Sequence, residues 1–437
     1  MEYFRRYVGL SRNLVVDAEK GTLRWRNESL PSMFVFGGDV FDKGPGDIAF
    51  AKMLVQFKVS YPERVFLLIG NRDMNKIKLT SELAEGDLAL RVEDVPKPYW
   101  FPPAQQVSYK TFLASEVIPN DPTIPPPLQD YPAETYASFN TRANRLKWML
   151  KHTMGSPECF EYRRQELLSM CSKSFVSDEE VVDSFYKSLE EGGFVREYLL
   201  NAQMMLVVGN TLFVHGAVSA ESMGFVPDFS NKDAIQAPEE RTGIYTSETH
   251  SVQEWTMLLN DWTQEGIGSW IKRPYWNSER NERGGSFLMS YCYEPAMGGK
   301  TVMITSFFEK NGNPGVLDEK VSQYLLKSGI SRVVVGHKPF GDTPTVLKGD
   351  VEIVSADQSF SDTTAKDNRG LAVSAVIIEG TKDCNKVILK GYNKNGTYFE
   401  FDLPTRDNTR SYPSSGNTLI GERLNDNFIV KAKLVNG

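Results

Sequence analysis

Residues 33–44 read MFVFGGDVFDKG, and the reading of the whole chain turns on them. An apolar run from Met33 to Phe36 ends in two glycines, then sets Asp39 and Asp42 three residues apart. That is the pattern of a buried strand feeding a loop that carries carboxylates. Asp47 then opens a helical spacing of Ile48, Phe50, Met53, Leu54 and Phe57. The helix must close before Pro62, because the residue ahead of a proline is steered out of helical geometry. VFLLIG at 65–70 reads as a second buried strand, running into Asn71, Arg72 and Asp73. Strand, helix, strand makes a βαβ unit, which implies a parallel pair with a right-handed crossover.

Outward from this unit, more strand patterns appear. MMLVVG (204–209) and TLFVHG (211–216) flank Gly209-Asn210, a two-residue hairpin turn. VMITSFF (302–308), RVVVG (332–336), VEIVSA (351–356) and LAVSAVII (371–378) also read as strands. Ten of the 23 prolines fall in 96–132, which excludes long helices there and predicts an irregular surface excursion. Segments 140–152, 158–172 and 178–203 carry helical periodicity. The expected organisation is therefore a core in two parts, 1–80 and 204–380, interrupted by a Pro-rich and helical insertion or cap at 81–203. A β extension at 381–437 completes it.

Composition narrows the function classes. Of 437 residues, 41% are hydrophobic and 24% charged, which suits a soluble globular protein with a sizeable core. Lys+Arg at 49 against Asp+Glu at 56 gives −7, so no broad basic surface is expected to hold nucleic acid. No apolar run approaches the ~18 residues of a membrane span, and the reading is cytoplasmic. Cys159, Cys171, Cys292 and Cys384 stand far apart without a C-x-x-C pair, so reduced and mostly buried thiols are expected.

Four strand-like runs end in polar clusters: GGDVFDKG (37–44), GNRD (70–73), VHG (214–216) and VGHKP (335–339). Ligand sites in open α/β sheets gather outside the carboxyl ends of strands. Asp39, Asp42, Asn71, His215 and His337 together give a mixed oxygen and nitrogen set, suited to Mn²⁺, Fe or Zn²⁺. Taken singly, G-D-x-x-D is as readily a helix-capping loop, and His-Gly after a strand a hydrogen-bonded turn. It is their order and common placement at strand ends that point to a site.

The series resembles the calcineurin-like metallophosphoesterase superfamily, and FVHGAVS (213–219) resembles the phosphoprotein-phosphatase branch within it. The resemblance covers about 1–80 and 204–380. It implies a four-layer α/β/β/α sandwich, two divalent metal ions and hydrolysis of a phosphorylated substrate, protein or nucleotide-like, by metal-activated water. By matching position, Asp39 would bridge both ions, and Asn71, His215 and His337 would complete the second ion's ligands. Asp42 would orient a ligand or the acid group, and Lys43, where the family has Arg, would contact phosphate as a point charge.

Two departures from the family pattern matter. Arg72 stands where the family has His, and Asp73 where it has Glu. Arginine cannot protonate a leaving group at neutral pH, though it can stabilise its charge. The first family motif, D-x-H, does not precede GGDVFDKG; Val15-Val16-Asp17 is the nearest approach. The reading therefore expects a truncated chain whose complete form carries a strand ending in D-x-H or D-x-E before Met1. The alternative is a pseudoenzyme or metal-binding interaction protein that keeps the fold. Asp357 and Arg369 are candidate substrate contacts, though a solvated loop explains them more readily. Trp255, Trp262, Trp270 and Trp276 read as packing, with Arg273 extended past them, and His152 and His250 as surface residues.

Overall fold

The computed structural model describes residues 1–17, 21–98, 103–127, 129–228, 242–293, 297–308, 315–358, 370–407 and 421. Helix α1 (Glu2–Leu10) is followed by a hairpin of β1 (Leu14–Asp17) and β2 (Thr22–Trp25), with Leu14 opposite Trp25. Next, β3 (Phe34–Phe36), α2 (Asp47–Ser60) and β4 (Val65–Leu68) form the βαβ unit, Phe34 pairing in parallel with Val65. β5 (Ala202–Gln203) extends that sheet in parallel beside β4. β6 (Met205–Val208) and β7 (Thr211–Val214) close tightly around Gly209-Asn210, with Val208 opposite Thr211. A short antiparallel pair, β8 (Phe225–Pro227) and β9 (Gly243–Tyr245), follows.

β10 (Arg332–Val335), β11 (Thr345–Leu347) and β12 (Glu352–Ser355) join the hairpin in a five-stranded sheet of order β11-β12-β10-β7-β6. Within it, β10 runs parallel to both β7 and β12. An antiparallel sheet of β13 (Val373–Gly380), β14 (Cys384–Tyr392), β15 (Tyr398–Asp402) and β16 (Arg406–Asp407) ends the described fold, a mixed α/β architecture.

The five-stranded sheet is buried on both faces, and the side-chain period of two divides it between two cores. Leu212, Val214, Val333, Val335 and Ile353 enter the main core. Phe213, Val334, Val346 and Val354 point the other way and pack with Val387 and Leu389 of β14. This explains why RVVVG is apolar throughout instead of alternating.

Helix α2 buries Ile48, Ala51, Met53, Leu54 and Phe57, and stops at Tyr61 just before Pro62. Its first turn is capped from a distance. The Glu166 carboxylate accepts from Ile48 N at 3.1 Å and Ala49 N at 3.0 Å, satisfying two of the four N–H groups a helix start leaves unpaired. Glu166 lies in the helix Cys159–Cys171, within a stretch from 71 to 201 whose described residues form helices and turns and no strand.

Several local expectations are corrected. Residues 302–308 are not a strand: their backbone is irregular, with N–H groups taken by side chains. Val302 N donates to Tyr291 Oη at 3.1 Å and Met303 N to Thr301 Oγ1 at 3.1 Å, while Val302 O accepts from Gly216 N at 2.9 Å. The apolar run is buried as a wedge beside Gly216, a role that a pattern of apolar residues does not distinguish from a strand. The helical pattern at 178–203 splits into Asp178–Lys187 and Phe194–Asn201, broken at Gly192-Gly193 with Gly192 at φ 72°. In the Pro-rich region, Tyr109–Asn120 is helical and buries Tyr109, Phe112, Leu113 and Ile118 in the main core, so it is not wholly a surface excursion. Trp255, Trp262 and Trp270 pack along the helix Val252–Lys272, as expected, while Arg273 is exposed at its end. All four cysteines are free; Cys159 and Cys292 are buried, Cys171 and Cys384 exposed.

Replacing Glu166 by alanine strands one buried and one partly buried N–H group at the start of α2. At about 1–3 kcal/mol for an unsatisfied buried group, the variant should lose stability on that order, and Glu166→Gln, which keeps an acceptor, should lose less. Urea midpoints at unchanged m-value measure the difference.

Candidate metal centre

The loops leaving β3, β4, β7 and β10 converge. Gly37 O, just past β3, accepts from His215 Nδ1 at 2.6 Å, and His337 Nδ1 lies 3.1 Å from Asn71 Oδ1. The His215 and His337 rings are 5.4 Å apart. Asp39 Oδ1 lies 3.3 Å from His215 Nε2 and accepts from Arg72 N at 3.0 Å. Ligand atoms of Asp39, His215 and His337 all fall within 4.8 Å of one another. Asp39, Asn71, His215 and His337, read separately from four strand ends, therefore meet in space.

Two glycines let the backbone come this close. A Cβ at Gly70 would stand 2.1 Å from Asp39 Oδ1, and one at Gly38, where φ is 91°, 2.6 Å from Gly70 N. Asp39, Asp42 and His337 themselves hold φ of 57°, 85° and 67°. Such conformations cost on the order of 1–3 kcal/mol each and persist only where the surroundings enforce them. Asp73 supplies much of that enforcement. Its carboxylate accepts from Asp39 N at 2.9 Å, Val40 N at 2.8 Å and Gly70 N at 2.8 Å.

The charges are strongly coupled. Burial would raise the Asp39 carboxyl, but His215, with Arg72 and His337, holds it well below the usual carboxylate range. Burial would lower His215, and the Asp39 charge overturns this, pushing it to about 9. His337 is pushed down to about 4, by burial and then by the charge on His215. Asp73 is pushed up to about 7, by burial and then by the charge on Asp39.

The residues present suit a divalent ion. His215 Nδ1 can donate to a backbone carbonyl, the usual way a ligating histidine is held in one tautomer. Its buried Nε2 then faces the Asp39 carboxylate at 3.3 Å. A second acidic group, Asp42, Asp47 and Cys159, does not suit one. Lys76 Nζ already sits 2.7 Å from Asp42 Oδ2, Asp47 Oδ2 accepts from Asp42 N at 3.0 Å, and Cys159 Sγ donates to Asp42 Oδ1 at 3.1 Å.

Asp42 is thus fully engaged and turned away from open space. Burial raises its carboxyl, but Lys76 and then Arg72 outweigh this and hold it ionised. It touches the Asp39 group through Arg72, whose Nη1 is 3.7 Å from Asp42 Oδ2 while Nε is 3.6 Å from Asp39 Oδ2. Lys43 is half-buried on the same loop. Asp17 ends β1 opposite Thr22, in the separate hairpin. Asp357 is half-buried past β12, and Arg369 lies outside the described residues. His152 is not a plain surface residue, since its Nε2 meets Glu116 Oε1 at 2.9 Å; His250 is exposed.

Residues 16–151 match the sequence profile of the calcineurin-like phosphoesterase family. Among solved structures, it is similar to a cold-active protein-tyrosine phosphatase of a psychrophile Shewanella sp., at 12% identity and a TM-score of 0.40, covering 92% of this chain and 77% of that one. A point mutant of a cold-active protein tyrosine phosphatase is similar at 11% identity and a TM-score of 0.41, with the same coverage. No curated protein matches the sequence.

Sequence reasoning missed the residues that brace the site. Lys76 donates to Asp42, to Arg72 O at 2.8 Å and to Asn75 Oδ1 at 2.9 Å. Its spacing four residues after Arg72 was a usable signal. Ser156 and Cys159 reach Asp42 across more than a hundred residues, and nothing local marks them.

The His215 shift fixes a pH dependence for chelator-treated protein. A folded pKa of about 9 against about 6.5 unfolded means the stabilisation is complete below 6.5 and is lost as pH rises through 9. Metal-free stability should therefore fall between pH 6.5 and 9. His215→Gln should flatten that fall, and denaturant midpoints at pH 6.5 and 8.5 for both proteins check it.

Proposed function

We propose that this protein is a metal-dependent phosphoesterase that hydrolyses a phosphorylated substrate, protein or nucleotide-like, and favours leaving groups of low pKa. The observation that carries the reading is the convergence of Asp39, His215 and His337, whose ligand atoms lie within 4.8 Å of one another, with Asn71 beside His337. These four side chains would hold one divalent ion, with Mn²⁺, Fe and Zn²⁺ all compatible with the donor set. When bound, the ion supplies Lewis acidity that polarises a phosphoryl oxygen and acidifies water.

The chain's own residues supply the rest. Gly37 O orients His215, and Asn71 sets His337. The Arg72 guanidinium, between Asp39 and Asp42, brings fixed positive charge to the departing oxygen. Lys43 is assigned to the substrate phosphate as a point charge, and Arg369 is carried over from the sequence as a second candidate. Among the described residues, neither Arg72 nor Asp42, the two groups aligned with the proposed leaving oxygen, is suited to give it a proton. Arginine as a residue type is too weak an acid for this, and Asp42 is held ionised by Lys76 and Arg72. The substrate preference follows, since anhydrides and aryl phosphates depart without protonation and alkyl esters do not.

Asp39→Asn and His337→Ala each remove a proposed ligand. Loss of even an outer partner costs ~10–100-fold in metal affinity or activity, so both variants should lose bound metal and fall close to background hydrolysis. Metal analysis after desalting, alongside p-nitrophenyl phosphate turnover in Mn²⁺, tests this. Full metal content in both variants would place the centre elsewhere. A metal-loaded wild type that hydrolyses no phosphate compound would instead identify a binding protein.

Substrate preference gives a separate check. General acid catalysis contributes ~10²–10⁴-fold, so turnover of a nucleotide anhydride or aryl phosphate should exceed that of a phosphoserine peptide by a measurable part of this range. Equal rates on the two classes would mean that some group does donate a proton.

A further inference from the structure

We infer that Ser156 is a positioning residue that aims Arg72 at the site, so that the helical stretch supplies part of the working centre. This rests on the phosphoesterase reading and on Arg72 acting through its charge. Ser156 is 2% exposed and does not reach the Asp39 cluster itself. Its Oγ accepts from Arg72 Nη1 at 2.7 Å and donates to Asp42 Oδ2 at 3.0 Å. Among the described residues this is the guanidinium's one contact of hydrogen-bond length. Its approaches to Asp39 and Asp42, at 3.6 and 3.7 Å, are attractions without a fixed direction.

The direction of the hydroxyl is determined. Two acceptors lie in reach of the hydroxyl, Asp42 Oδ2 at 3.0 Å and Met154 O at 3.4 Å; the nearer, a carboxylate held ionised, takes the proton and the oxygen lone pairs are left for Arg72. The Cys159 thiol occupies the other Asp42 oxygen and Lys76 shares the first, so the carboxylate cannot turn away. The Ser156 backbone is itself held, its N–H donating to Leu150 O at 2.8 Å across a π-helical turn at Met149–Thr153. Single π turns inside helices are frequent at functional sites. A side chain as mobile as arginine thus has one of its nitrogens anchored by a rigid relay rooted 84 residues away.

The test is a double-mutant cycle on Mn²⁺-loaded protein with aryl phosphates of graded leaving-group pKa. Ser156→Ala should lower kcat by about 10-fold, a fraction of what loss of a charge-stabilising donor itself costs, with KM and metal content little changed. The loss should grow with leaving-group pKa, because a misaimed Arg72 matters most for poor leaving groups. Ser156→Thr, which keeps the hydroxyl, should retain most of the rate. The Ser156→Ala, Arg72→Ala double variant should be no slower than Arg72→Ala alone. Additive losses, a Ser156→Ala enzyme with the wild-type leaving-group dependence, or a Thr variant as slow as the Ala variant would each overturn the assignment of Ser156. If the wild-type protein hydrolyses none of the series, the phosphoesterase reading fails and the assignment falls with it.

Discussion

One buried carboxylate holds two loops in a conformation they would not otherwise adopt. Asp73 draws in the N–H groups of Gly70, on its own turn, and of Asp39 and Val40, on the loop after β3. Hydrogen bonds contribute about 0.5–1.5 kcal/mol each, and more to the ionised form, so the three together offset much of the cost of the left-handed backbone beside them. With the loops tied, Gly38 and Gly70 lie against each other at a distance that admits no Cβ. Asp39 can then stand beside His215, and the geometry of the centre follows. The short arm of aspartate suits this task, since the backbone it serves is immediately adjacent.

The site carries more negative charge than its surroundings hold easily. Asp47, like Asp73, is pushed up to about 7 by burial, with Asp42 and Glu166 adding to the effect. Lys76 and Arg72 neutralise the Asp42 end of the cluster. At the Asp39 end that task falls to the histidines, which serve poorly as permanent cations: one is driven up by Asp39, the other driven down by its companion. A divalent ion between them would replace a shared and titratable charge with a fixed one, and would relieve both carboxylates behind it.

What the sequence made legible was whatever depends on short-range pattern. Strands end in glycine where the backbone must approach a neighbour, and the residues beside those glycines proved to be the converging ones. The helix after Asp47 and the hairpin at Gly209-Asn210 were readable for the same reason. The wedge at 302–308 was misread because burial, not pairing, makes its residues apolar. The break at Gly192-Gly193 could have been read from the glycines themselves. Ser156, Cys159 and Glu166 could not, since a serine, a cysteine and a glutamate in helical surroundings gain their roles only from what folds against them. The site's strand-end residues were visible in the sequence, and its supports were not.

The spacing of those contacts along the chain has a kinetic consequence. Gly37 meets His215 over 178 residues, Asn71 meets His337 over 266, and Asp42 meets Cys159 over 117. Each closes a long loop, whose entropic cost grows slowly with length but falls due before the contact forms. No early, locally structured species on the folding path can contain the centre, because each pair waits for both ends of its loop. The centre is therefore a record of completed folding: a chain in which it has formed has already docked both sheets and the helices between them.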